Sequence, residues 1–108
     1  MSYALFLDDE RMPPGKGKEF MGLPIHIARS FNEAVQMVQE MGWPRMVMFD
    51  HDLGDGPTGY DFAKWLVEYD MDQGGMPDDF LYDIHSQNPV GAKNIQSYLN
   101  SYLRMKKI

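Results

Sequence analysis

Tyr3-Ala4-Leu5-Phe6-Leu7-Asp8-Asp9-Glu10-Arg11 joins a short apolar run to a cluster of charge. A continuous apolar run of this length reads as a strand buried on both faces, as in the interior of a parallel sheet. The pattern returns twice. Met46-Val47-Met48-Phe49 ends in Asp50-His51-Asp52, and Phe80-Leu81-Tyr82-Asp83-Ile84 ends in His85-Ser86-Gln87-Asn88. Ligands of open parallel sheets bind outside the carboxyl ends of the strands, so three polar clusters far apart in sequence are expected to meet in one crevice.

Working outward, Ile25-His26-Ile27-Ala28-Arg29 supplies a fourth strand. It and Phe80 to Ile84 carry a polar residue inside the run, which edge strands tolerate better than central ones. The expected fold is therefore α/β: a flavodoxin-like open parallel sheet of four strands in the order 2-1-3-4. Its order reversal falls between the strands that end in Asp8-Asp9 and Asp50.

Three helices are expected. The first opens at Ser30, with Ser30 and Glu33 as a capping box, Phe31, Ala34, Val35, Val38 and Met41 as the buried stripe, and Gly42 as the stop. The second opens at Thr58 with Asp61 at its third position, carries Phe62, Trp65, Leu66 and Tyr69 on one face, and closes at Gly74-Gly75. The third follows Asn88-Pro89 and presents Ile95, Tyr98, Leu99, Tyr102 and Leu103. Between Glu10 and Leu23, the residues Pro13-Pro14, Gly15, Gly17 and Gly22 replace the first crossover helix by an ordered loop. Lys16 and Lys18 ride on that loop beside the acidic cluster.

A length of 108 residues fits a single domain spanning residues 1–108. With no cysteine, disulfides, thiolate nucleophiles and cysteine-ligated zinc are excluded. No apolar stretch approaches the roughly 20 residues of a membrane span. A cytoplasmic protein without membrane attachment is expected. The net charge of -6 argues against binding duplex nucleic acid and leaves a small phosphorylated ligand as the expected partner. The ten methionines read as core fillers.

The clusters carry the chemistry. Asp8, Asp9 and Asp50 suit one Mg2+ or Mn2+ ion, because hard cations take oxygen ligands and crowded like charges need a counterion. On an extended backbone Asp52 points with Asp50, as a further ligand or as a clamp on the loop Leu53-Gly54-Asp55-Gly56. His51 and His85 are candidates for proton transfer near neutral pH, or for metal ligation. Ser86, Asn88 and the amides opening the last helix form a phosphate cradle, although Asn88 also reads as a helix cap. Arg11 either grips phosphate or neutralises the acids. His26, with no acidic companion, is assigned to packing.

In its order of elements the chain resembles the receiver domain of two-component response regulators, with Asp8-Asp9 as the acidic pair and Asp50 at the phosphoacceptor position. Missing from the pattern are the first helix, the fifth strand and that strand's lysine, which speaks against phosphorelay chemistry. The chain resembles more closely the cyclic-phosphate processing receiver domains, through Leu7-Asp8-Asp9-Glu10-Arg11, Pro13-Pro14, Arg29, Asp50-His51-Asp52-Leu53-Gly54, Thr58-Gly59-Tyr60-Asp61, Trp65 and His85-Ser86-Gln87-Asn88-Pro89-Val90-Gly91. The resemblance implies a metal-dependent phosphoesterase, a hydrolase acting on a small cyclic phosphate or cyclic nucleotide derivative. The alternative is a non-catalytic receiver-derived module that binds metal, nucleotide or protein. In receivers the first and fifth helices cover one sheet face. Without counterparts to either, the last helix is expected to cross to the vacated face, or a second subunit to bury it in a homodimer.

Overall fold

A computed structural model describes residues 2–13, 19–54 and 56–106. Its elements, in chain order, are β1 (Ala4–Leu7), β2 (Glu19–Phe20), β3 (Leu23–Ala28), α1 (Phe31–Met41), β4 (Met46–Phe49), α2 (Gly59–Gln73), β5 (Leu81–Ile84) and α3 (Pro89–Lys106). Lys16, Lys18 and Asp55, singled out in the sequence, lie outside the described residues.

The sheet has five strands in the order β2-β3-β1-β4-β5, which corrects the expected four. Parallel pairing holds from β3 through β5, but β2 runs antiparallel to β3 and makes the sheet mixed. The added strand stems from a two-residue turn. Met21 and Gly22 both have positive φ, 53° and 77°, and positive φ at both central residues is the type I′ hairpin geometry. Methionine rarely enters that region, so Met21-Gly22 lacks the Asn-Gly signature that advertises such a turn. As a result β3 is an interior strand, not an edge. At the true edge, β5, the Ile84 N–H donates to the Asp83 carboxylate at 2.9 Å, which removes one group that another strand could pair with.

Helix starts follow the expected caps with one change. Thr58 and Asp61 close a full capping box. The Ser30 side chain accepts from the Glu33 N–H, but the Glu33 carboxylate accepts from the Arg29 N–H instead of returning to Ser30, so that box is half made. Asn88 Oδ1 accepts the Gly91 N–H at 2.9 Å and caps α3.

Alternation divides the sheet into two faces. Leu5, Leu7, Val47 and Phe49 pack against Val38 of α1, Phe62 and Leu66 of α2, and Ile95 and Leu99 of α3. All three helices therefore lie on one face, and the expectation that α3 crosses over is overturned. The cause is a polar lock. Tyr102 Oη donates to Asp70 Oδ2 at 2.6 Å, Lys106 Nζ donates to the same oxygen, and the Met76 N–H donates to Asp70 Oδ1 at 3.0 Å. Burial pushes the Asp70 carboxyl up, but Lys106, Tyr102 and the Met76 amide outweigh it and leave the group below the usual carboxylate range. Burial, and then the bond to Asp70 and its charge, push the Tyr102 hydroxyl up to about 12. On the opposite face Ala4, Phe6, Met46 and Met48 are buried against Phe20, Leu23, Ile25 and Ile27. The β2–β3 hairpin thus does part of the covering expected of a helix.

Two glycines allow the helices to press on the strand ends. A Cβ on Gly59 would stand 1.9 Å from the Asp50 carbonyl oxygen, and one on Gly91 would stand 2.3 Å from the His51 ring. Only glycine permits both approaches.

Candidate functional site

Strand pairing continues one residue past the strands and brings the polar residues together. The Asp8 N–H donates to the Ala28 carbonyl at 3.1 Å, the Asp50 N–H to Leu7 at 3.0 Å, and the His85 N–H to Phe49 at 2.9 Å. Three distant residues thereby become neighbours at the carboxyl ends of β1, β4 and β5. Asp8, Asp9 and Asp50 offer carboxylate oxygens all within 4.8 Å of one another.

The two buried acids differ. Asp8 Oδ1 accepts the N–H groups of Glu10 (3.0 Å) and Arg11 (2.9 Å), while Oδ2 lies 3.0 Å from His85 Nε2 and 3.8 Å from Arg11 Nε. Burial alone would raise the Asp8 carboxyl, but the Arg11 and Glu10 amides, followed by the charges of His85 and Arg11, hold it below the usual range. Asp50 moves the other way. Burial and then the Asp8 charge raise it, against His85, Arg11 and a hydrogen bond from the Ser86 hydroxyl. The amides and charges around Asp8 thus outweigh its burial, and those around Asp50 do not.

Two arginines secure the loop after β1. Arg29 Nη1 donates to the carbonyls of Asp8 (3.2 Å) and Arg11 (2.6 Å), and Arg11 Nη1 donates to the His85 carbonyl at 2.8 Å. Of the two readings of Arg11, neutralising the acids is the one its contacts display. Arg29 had no assigned direction from its neighbours in sequence. Its position just past β3 was the available signal, since residues there border the same crevice.

The remaining candidates form a second group. His51 Nδ1 lies 2.9 Å from Asp52 Oδ1, and Asn88 Nδ2 approaches that same oxygen at 3.4 Å and His51 Nδ1 at 3.5 Å. The bond to His51, then that to Asn88, lowers the Asp52 carboxyl. Asp52 is not one of the three clustered acids and pairs instead with His51 and Asn88. The physical reason is that β4 ends at Phe49, and the chain then turns as the His51 carbonyl accepts the Gly59 N–H at 2.9 Å, so strand alternation no longer applies. Ser86 acts on both groups: its hydroxyl lowers the Asp50 carboxyl, and its Oγ accepts the Asn88 N–H at 3.0 Å. The Asn88 amide is engaged as cap and as donor to Asp52. His26 stacks edge-on against Tyr3 at 5.4 Å, as its packing assignment requires.

As a donor set, Asp8, Asp9 and Asp50 fit a hard divalent cation. All are carboxylates, they repel one another, and Asp50 is held in a state that a nearby cation would relieve.

A mixed sheet whose strands β3, β1, β4 and β5 run parallel, with an acid cluster at their carboxyl ends between β1 and β4, defines a receiver-like domain. The chain belongs to the family of cyclic-phosphate processing receiver domains, whose family model matches residues 3–101. No curated protein matches the chain. Among solved structures, a chain described as the yeast Spc42 trimeric coiled coil, amino acids 181–211, fused to another structure is similar over 98% of this chain and 81% of that one, with a TM-score of 0.58 at 16% identity. At that identity the likeness concerns the fold alone. No helix among the described residues is long and apolar enough to cross a membrane.

Proposed function

We propose that this domain is a metal-dependent phosphoesterase that opens a small cyclic phosphate or cyclic nucleotide derivative. The observation that carries the reading is the gathering of Asp8, Asp9 and Asp50 within 4.8 Å with an imidazole on one of the acids. Asp8, Asp9 and Asp50 would hold Mg2+ or Mn2+, which when bound supplies charge stabilisation to a phosphate and positions for water.

His85 is the base for the attacking water. Its Nε2–H donating to Asp8 leaves Nδ1 as the acceptor, so Asp8 sets the tautomer and orientation, and the water proton passes to Nδ1. The new P–O bond forms as the ring P–O ester bond breaks, and the leaving alkoxide takes a proton. His51, oriented by Asp52, is the candidate acid for that step. Ser86, Asn88 and the α3 amides border the phosphate, and Arg11 offsets its charge.

Purified protein with Mg2+ or Mn2+ is to be assayed against nucleoside cyclic phosphates beside Asp50→Ala and His85→Ala. Turnover lost in both variants is the expected result. Wild-type turnover no greater than that of the variants defeats the reading, and a saturable thermal shift without product selects a binding module in its place.

A further inference from the structure

On the sheet face opposite the helices, directly below the acids, lies a cavity of about 320 Å3. Phe6 and Met48 line it with Met12 and Phe20, while Arg11 and His85 belong both to the cavity and to the site. The continuity is built into the strands. Side chains two residues apart share a face, so Phe6 precedes Asp8, Met48 precedes Asp50, and Asp83, also on the cavity wall, precedes His85. Whatever binds at the strand ends therefore has an apolar recess one layer below it.

The recess has the chemistry of a ring pocket. Its volume is at the lower end of the roughly 300–1,000 Å3 range of small-molecule sites, which suits one flat ring system. Phe6 already stacks on the His85 ring with centroids 4.7 Å apart and planes 2° from parallel, and Phe20 and the two methionines add polarisable surface. The Asp83 carboxylate on the wall disfavours a second phosphate there.

We propose that this cavity is a specificity subsite for a planar aromatic group carried by the alcohol of the phosphate ester, so that the ligand is a nucleoside or aryl phosphate and not a bare polyol phosphate. The inference rests on the reading of the neighbouring acids as a phosphate site. Ring binding excludes water from the exposed Met12 side chain and the half-buried Phe20, over a floor of Phe6 and Met48, which is the source of the added affinity.

The test uses the full chain with Mg2+ and 13C-methyl-labelled methionine. The ligands are cytidine 2′,3′-cyclic phosphate, phenyl phosphate and glycerol 1,2-cyclic phosphate. A ring in the cavity shifts the ε-methyl resonances of Met12 and Met48 by its ring current and leaves those of Met41 and Met71 in place. Ring-bearing ligands are expected to bind at least about tenfold tighter than the glycerol compound, which is about 1.4 kcal/mol. Phe20→Ala and the cavity-narrowing Phe20→Trp each remove that preference without changing affinity for the glycerol compound. Shifts with cytidine but not phenyl phosphate assign the subsite to nucleosides, and the reverse to aryl esters. Equal affinity for all three with no shift at Met12 or Met48 overturns the subsite and leaves the phosphate site standing. Failure of every phosphate compound to bind overturns both.

Discussion

Asp70 and Asp50 are both buried carboxylates, and they lie at opposite extremes of compensation. Asp70 has a lysine, a tyrosine and a backbone amide directed at its two oxygens, and its carboxyl is lowered. Asp50 faces other acids, and its carboxyl is raised. A carboxylate with complete partners joins two pieces of fold, here α3 to α2. A carboxylate among like charges is held in an unfavourable state by the surrounding structure, which is the arrangement expected where a cation and a phosphate are to bind.

The sharpest challenge to that contrast is kinetic. His85→Ala is expected to lower kcat by roughly 10²-fold to 10⁴-fold while leaving the fold intact, as measured by turnover and circular dichroism. Phosphoesterase activity retained in that variant would remove His85 from the reaction.

Next in size is Gly59→Ala. Its methyl collides with the backbone carbonyl of Asp50, which cannot swing aside as a side chain can, and a cost of about 3 kcal/mol is expected in urea denaturation. Gly91→Ala meets only the His51 ring, so a smaller loss should accompany displacement of that ring.

Asp70→Asn tests the structural pole of the comparison. Loss of charge-assisted bonds to Tyr102 and Lys106 should cost about 2 kcal/mol, discounted because the Lys106 side chain is 36% exposed. The sign with pH follows from the lowered carboxyl. The unfolded chain takes up the proton first, near about pH 3.9, so the stabilisation is complete above that value and fades as pH falls through the lower folded value. Denaturation of wild type and Asp70→Asn across pH 7 to 2 should converge only at the acid end. A constant gap would contradict the assigned lock.

The smallest effect carries the most discriminating sign. Without divalent cation, Asp50→Asn removes a charge disfavoured first by burial and then by Asp8, and should stabilise the protein by on the order of 1 kcal/mol. Adding Mg2+ should reverse the ranking, since only the wild type gains stability by binding. Thermal melts with and without Mg2+ check both signs, and a destabilised metal-free variant would place Asp50 with Asp70.

Much of this architecture was legible locally. Apolar runs at Ala4–Leu7 and Met46–Phe49 announce buried parallel strands, and Thr58 with Asp61 announces a helix start, because strand burial and capping depend on neighbours in sequence. The acid trio was legible for a related reason: residues just past parallel strands project into one crevice whatever the connections between them. Other features left little local trace. Met21-Gly22 conceals a hairpin because nothing in methionine signals positive φ. The departure of Asp52 from Asp50 depends on where β4 stops, and the orientation of Arg29 depends on carbonyls 18 and 21 residues away.

The sequence by itself determined which segments pair as parallel strands, where each helix begins and which acids, imidazoles and hydroxyls stand at the strand ends, since periodicity and caps are read over a few residues. Only the tertiary structure decided that α3 stays on the helical face, that His51 and Asp52 form a group apart from the acids, and that the opposite face keeps a recess beneath them. Each of those outcomes turns on contacts between distant segments, Asp70 with Lys106, His51 with Gly91 and Phe6 with His85, whose free energy exists only once the chain is folded.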